Sequence, residues 1–196
     1  CPADLNFALG SDMVYHEYAH FVVEEVTHLP YVVGSESAAM SEGLADYFAA
    51  TINNDPMWGD VIAPSRQRNL QNTLNYQTDM NGQQHNDGMI FSGALWDLRD
   101  AIGQEATDEL VFNTLFQDRY HFETFMYGMI IEDDDNNDFS DGTPHLAEII
   151  TAFDNHGIGP GIANFNGLPL TPEAWIELLG EEPPEGEEEE MLGAYT

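Results

Sequence analysis

The chain contains no lysine, and only four arginines, Arg66, Arg68, Arg99 and Arg119, stand against 36 acidic residues, for a formal net charge of −32. A protein without a basic patch has nothing with which to neutralise phosphates, so nucleic acid and anionic membrane surfaces are excluded as partners. Self-repulsion of this size opposes compaction unless salt or bound cations screen it. The expectation is a secreted, extracellular protein of a salty habitat, or one that holds calcium. Cysteine is almost absent too. Cys1 is the only one, so no internal disulfide can form. It is read first as a residue left at a processing boundary, and otherwise as a lipidated surface anchor or half of a disulfide with a partner chain. No apolar run approaches the ~20 residues a bilayer span requires, so no membrane insertion is expected. The opening CPADLNFALGSD lacks the basic and apolar regions of a signal peptide. A presequence already removed, or a piece excised from a longer precursor, is the expectation.

What is present suffices for a core. Hydrophobic residues make up 42% and aromatic residues 11% of 196, which excludes a wholly disordered chain. Period and capping signals predict helices over 11–29, 37–53, 88–102, 105–120, 125–131 and 144–155, with a last short one in TPEAWIELLG. In the first, Ser11 or Asp12 is the expected N-cap and Val14, Ala19, Phe21, Val22, Val26 and Leu29 the expected apolar stripe. Residues 55–84 are polar and aperiodic, as loops beside active sites often are. The fold expected is mainly α, with long irregular loops and little or no β-sheet. Residues 1–180 form one domain, and 181–196, which carry EEPPEGEEEE, form an acidic tail expected to be disordered.

The chemistry centres on HEYAH, residues 16–20. On a helix, positions i and i+4 share a face, so His16 and His20 can direct ring nitrogens at one cation. Glu17 then projects beside that cation, where it can take a proton from a water. This HExxH pattern is a known zinc-site signature. Catalytic zinc commonly takes three protein ligands and leaves a position for water. Glu42 in SEGLADYF is the candidate third ligand, and Asp46, one turn on, can orient a histidine through its remote N–H. Both carboxylates sit among Ala, Met, Leu and Phe rather than among other charges, which favours a site over a solvated face.

HEYAH, with EGLAD beginning 22 residues after His20, resembles the gluzincin peptidases of the thermolysin and fungalysin-like families, whose pattern is HExxH followed by ExxxD. The resemblance spans roughly residues 12–103 and implies a helical zincin-type domain with His16, His20 and Glu42 on zinc, Glu17 as general base and Asp46 behind the ligands. It further implies that Tyr31 in HLPY and His85 in QHNDGMIFSGALWDL stabilise the transition-state oxyanion. Arg68 in QRNLQN, or else Arg66, would grip the substrate carbonyl. From the residues alone, Tyr31 is equally an amphipathic side chain at a core edge and His85 a surface histidine. The families have a β-rich part ahead of HExxH, whereas 15 residues precede His16 here. An upstream domain, a partner chain or a minimal open cleft would account for that, the first being the favoured reading. The function expected is zinc-dependent hydrolysis of peptide bonds in a peptide or protein substrate.

DDDNNDFSDG suggests a second site. Asp133, Asp135, Asn137, the Phe139 carbonyl and Asp141 have the alternation of a calcium loop, although Asp138 and Pro144 replace its usual glycine and glutamate. A calcium ion or a plain solvated turn are both open readings. With the acidic tail, this loop also allows a rival function, a calcium- and zinc-stabilised structural or adhesive module without turnover.

Overall fold

In a computed structural model, which describes residues 10–60, 64–136 and 142–159, the chain is mainly helical. Helices α1 (Ser11–Thr27) and α2 (Glu36–Asn53) are followed by a two-stranded antiparallel ribbon, β1 (Met57–Trp58) and β2 (Arg68–Asn69), with Trp58 opposite Arg68. Then come the short α3 (Tyr76–Asp79), α4 (Gln84–Ile102), α5 (Gln104–Thr114), α6 (Phe122–Glu132) and α7 (Leu146–Asn155). That ribbon is the only sheet among the described residues. None of the described helices is long and apolar enough to cross a membrane. The expected helix in TPEAWIELLG and the acidic tail lie outside the described residues.

Helix α2 is the central element, packed between α1 and α4. Its alanines favour the helix, the Ser35 hydroxyl accepts from Ala38 N at its start, and Asn54 closes it in the left-handed conformation (φ 53°). Met40, Leu44 and Tyr47 are fully buried, each contributing about 1.5–3 kcal/mol of burial. On the far side of α4, Phe91 stacks on Phe122 of α6, with centroids 4.8 Å apart, and meets Phe125 and Phe153 edge-on. This cluster ties α6 and α7 to α4.

Several element boundaries differ from the expected ones, each for a local reason. Helix α4 starts at Gln84 rather than Gly88. The Gln83 side chain caps it, accepting from Asn86 N, and the Asp87 carboxylate accepts from Asn81 N and Gly82 N, which fixes the preceding turn. His85 therefore stands on the first turn of a helix, not in a loop. Helix α1 stops at Thr27, where His28 turns left-handed (φ 51°), ahead of Pro30. Its N-cap is Gly10. Asp12 instead accepts from Asn53 Nδ2 and Gly59 N, pinning the start of α1 to the end of α2. Of the expected apolar stripe, Ala19 and Leu29 are buried and Val22 and Val26 half-buried, but Val14 and Phe21 are 46% and 57% exposed, and His16, Val23 and Thr27 join Ala19 on the buried face of α1.

How closely α2 and α4 cross is set by two glycines. A Cβ on Gly43 would stand 2.7 Å from Gly88 O, and one on Gly88 would stand 2.7 Å from Ala39 O and 3.2 Å from the Glu42 Cβ. These obstacles are mostly backbone atoms in helices, so they cannot step aside. Gly88→Ala is expected to cost about 1–3 kcal/mol through forced separation of the helices. Because Glu42 sits at the contact, metal affinity should fall alongside stability. Denaturant titration of the metal-free protein and metal titration of the folded variant measure the two effects.

Candidate metal centre

Three side chains from two helices converge on one point. His16 and His20 come from successive turns of α1, and Glu42 faces them from α2. Their ligand atoms, one per residue, lie within 4.8 Å of one another, a grouping that could hold a metal ion. His16 Nε2 is 3.1 Å from His20 Nε2, while Glu42 Oε2 is 3.3 Å from the first and 3.4 Å from the second. Glu42 Oε2 is buried and receives no hydrogen bond. A buried carboxylate oxygen left in that condition is costly unless a cation completes it, so the donor set fits a metal.

Each histidine is held from behind. His20 Nδ1 lies 3.0 Å from the Ser41 hydroxyl. With Nδ1–H as donor, the Nε2 lone pair is left facing the cluster. His16 Nδ1 is 2.8 Å from Asp46 Oδ1, too bent for a well-formed hydrogen bond, so that contact is chiefly electrostatic. Asp46 is fully buried and is gripped in turn by Arg68, whose Nε–H and Nη2–H donate to its two oxygens at 2.5 and 2.6 Å. Trp58 lies under both His16 and Arg68: the guanidinium carbon is 3.5 Å from a Trp58 ring centroid, and the imidazole 5.3 Å.

Charge follows geometry. Burial alone would lower the His16 pKa, but Asp46 and Glu42 outweigh it and push it up to about 9. Burial would raise Glu42, yet the close imidazoles of His16 and His20 hold it well below the usual carboxylate range. Partial burial lowers His85, against the pull of Glu42.

The remaining expected residues divide into two groups. Tyr31 and His85 do converge here: the Tyr31 hydroxyl donates to Glu42 Oε1 at 3.0 Å, and His85 Nε2 is 3.5 Å from Glu42 Oε2. Gln84 donates to the Tyr31 oxygen, and the Gln83 amide lies 2.9 Å from His85 Nδ1. Glu17 is exposed and lines a cleft of about 510 Å³ that opens over the cluster. Arg68 is buried and bound to Asp46, through which it positions His16, and it is not among the residues lining the cleft; Arg66 is exposed on a 3-10 turn. Of the acidic loop, Asn137, Phe139 and Asp141 lie outside the described residues. Asp133 is buried, accepting from the Thr143 hydroxyl and from both His145 N and its ring Nδ1, and Asp135 is exposed.

Sequence reasoning missed Ser41 and Trp58. Ser41 had a faint signal, a hydroxyl inside an alanine-rich helix where it lowers propensity. Trp58 had none, because its place depends on the pairing of two very short strands. No protein-family model matches the chain, and no curated protein matches it.

Two outcomes follow from this geometry. Ser41→Ala should weaken metal binding by about tenfold or more, since it frees the His20 ring without removing a ligand; chelator competition measures this. The second concerns pH. A His16 pKa raised from 6.5 to about 9 gives the metal-free protein a stabilising contribution that is full below 6.5 and lost as pH rises through about 9. A metal must displace that proton, so binding near pH 7.5 should release about one proton from His16, and none above its pKa. Calorimetry in buffers of different ionisation enthalpy counts it, and His16→Ala should abolish both effects.

Proposed function

We propose that the chain is a zinc-dependent peptidase, with His16, His20 and Glu42 as the metal ligands and Glu17 as general base. The observation that carries this reading is the triangle of ligand atoms with sides of 3.1, 3.3 and 3.4 Å. Tetrahedral zinc with bonds of roughly 2.0–2.1 Å requires donor atoms about 3.3–3.4 Å apart. Calcium, which binds oxygen donors at about 2.3–2.6 Å, suits neither the two imidazoles nor the spacing.

When bound, zinc supplies a Lewis acid that polarises a water and the scissile carbonyl. The chain's own groups supply the proton traffic and the orientation. Glu17 is exposed in the cleft, next in sequence to a ligand, where its carboxylate can take the proton from the attacking water and return it to the leaving amine. His85 receives the Gln83 amide at Nδ1, which places its proton on Nε2, the atom facing the cluster. A neutral imidazole so oriented donates to an oxygen that gains negative charge. The Tyr31 hydroxyl, 50% exposed as a residue and shared between Glu42 and Gln84, is the second such donor. Asp46, Arg68 and Trp58 hold His16 against reorientation. The open cleft favours turnover over a structural metal module, because a structural zinc site is normally closed by a fourth side chain and has no use for Glu17. The charge excess and the lack of a basic surface support an extracellular setting and a peptide or protein substrate.

Casein or a quenched fluorescent peptide tests the reading directly. Zinc-loaded wild type should cleave it and a chelator should stop cleavage. Glu17→Gln should lower the rate by about a hundredfold or more while zinc affinity changes little. Wild type that holds zinc yet is as silent as Glu17→Gln would favour the structural module instead.

A further inference from the structure

The cleft contains one carboxylate that neither binding of the metal nor proton transfer uses. Glu24 lies on α1 four residues beyond His20, one helical turn or about 6 Å further along the axis. It lines the same cleft as His20 and Glu42, is exposed, and its side chain has no hydrogen-bond or ion-pair partner among the described residues. Leu29, 9% exposed, offers an apolar edge beside it, with Val23 buried behind the cleft wall. None of the four arginines lines the cleft, and Arg66 stands exposed on its 3-10 turn. Arg68 is bound to Asp46, Arg99 to Thr51, Asn54 and Gln104, and Arg119 to Gln117; there is no lysine.

We infer that Val23, Leu29 and Glu24 form a subsite for a cationic group of the substrate, so that the peptides taken are basic ones. This rests on the peptidase reading and names its substrate class. An arginine or lysine side chain matches both features of the wall, since its methylenes can lie along the apolar edge at Leu29 while its charged end reaches Glu24. A free terminal amine offers the same charge with less apolar reach. The net negative field of the chain adds long-range attraction for such substrates and disfavours acidic ones. The other two cleft carboxylates cannot serve this purpose: Glu42 is occupied by the histidines, and Glu17 must stay free to accept a proton.

The test uses the full zinc-loaded chain and peptides that differ at one position at a time, Lys, Gln or Glu, on either side of the scissile bond, each with a free or an acetylated N-terminus. Non-cleavable hydroxamate peptides with the same substitutions give affinities that do not depend on turnover. At one position, Lys should exceed Gln by about tenfold in kcat/KM and in hydroxamate affinity. The ratio should approach one in Glu24→Gln and invert towards Glu in Glu24→Lys. Glu25→Gln, on the exposed neighbour that does not line the cleft, should leave it unchanged. Should acetylation rather than the Lys position govern the Glu24-dependent preference, the cation is the terminal amine. A preference absent from wild type, or one that survives Glu24→Lys, overturns the subsite while leaving peptidase activity intact. Charge-ordered hydroxamate binding without cleavage would instead remove the peptidase reading and keep the subsite.

Discussion

A buried carboxylate, Asp46, is the joint on which the site depends. Placing an isolated negative charge in the interior costs several kcal/mol even after relaxation, and Asp46 is fully buried. Two positive partners offset that cost: the bidentate Arg68 and the elevated His16. Three separate segments thereby become interdependent, since His16 belongs to α1, Asp46 to α2 and Arg68 to the β-ribbon. Removing Arg68 would leave Asp46 with a single partner, His16, which also belongs to the cluster with His20 and Glu42. Trp58, beneath both cations, keeps water from replacing either. The orientation of a ligand is therefore secured by charge and stacking rather than by a straight hydrogen bond.

The second constraint is distance. Glu42 can reach the imidazoles only because α2 is free to lie close to its neighbours, and Gly43 against Gly88 permits that approach on the α4 side. The same contact sets α4, whose first turn carries His85 and Gln84 to the mouth of the cleft. One glycine pair thus positions residues on two helices, and side-chain volume at the crossing bears on the site as directly as the ligands do.

How much of this the sequence disclosed depended on how local each cause was. The i, i+4 pair in HEYAH and the Glu42–Asp46 spacing are consequences of helical geometry alone, so the cluster and its orienting carboxylate were legible. The mainly helical fold was legible from period and capping for the same reason. The inward face of α1 was legible only in part. Ala19 and Leu29 are buried as the pattern expects, but Val14 and Phe21 are exposed and His16 is buried. A functional residue on the core face misleads any reading that assumes polar means exposed. The pairing of Arg68 with Asp46 was not legible either. It depends on the Trp58–Arg68 register of a ribbon two residues long, and no local signal carries that.

The cleft also shows how one residue type can be given different work by its surroundings. Glu42 has its charge fixed by two imidazoles and keeps one oxygen unpaired towards the cluster. Glu17, one position along α1 from His16, keeps its solvent access at the mouth of the cleft. Glu24 sits a turn beyond His20 in the same cleft, which no arginine lines. In a chain with so few cations, three of them held in internal contacts, a carboxylate left unpaired inside a cleft draws its counter-charge from whatever enters. The shortage of basic residues that first marked the sequence is, at this one place, the physical basis for selecting what binds.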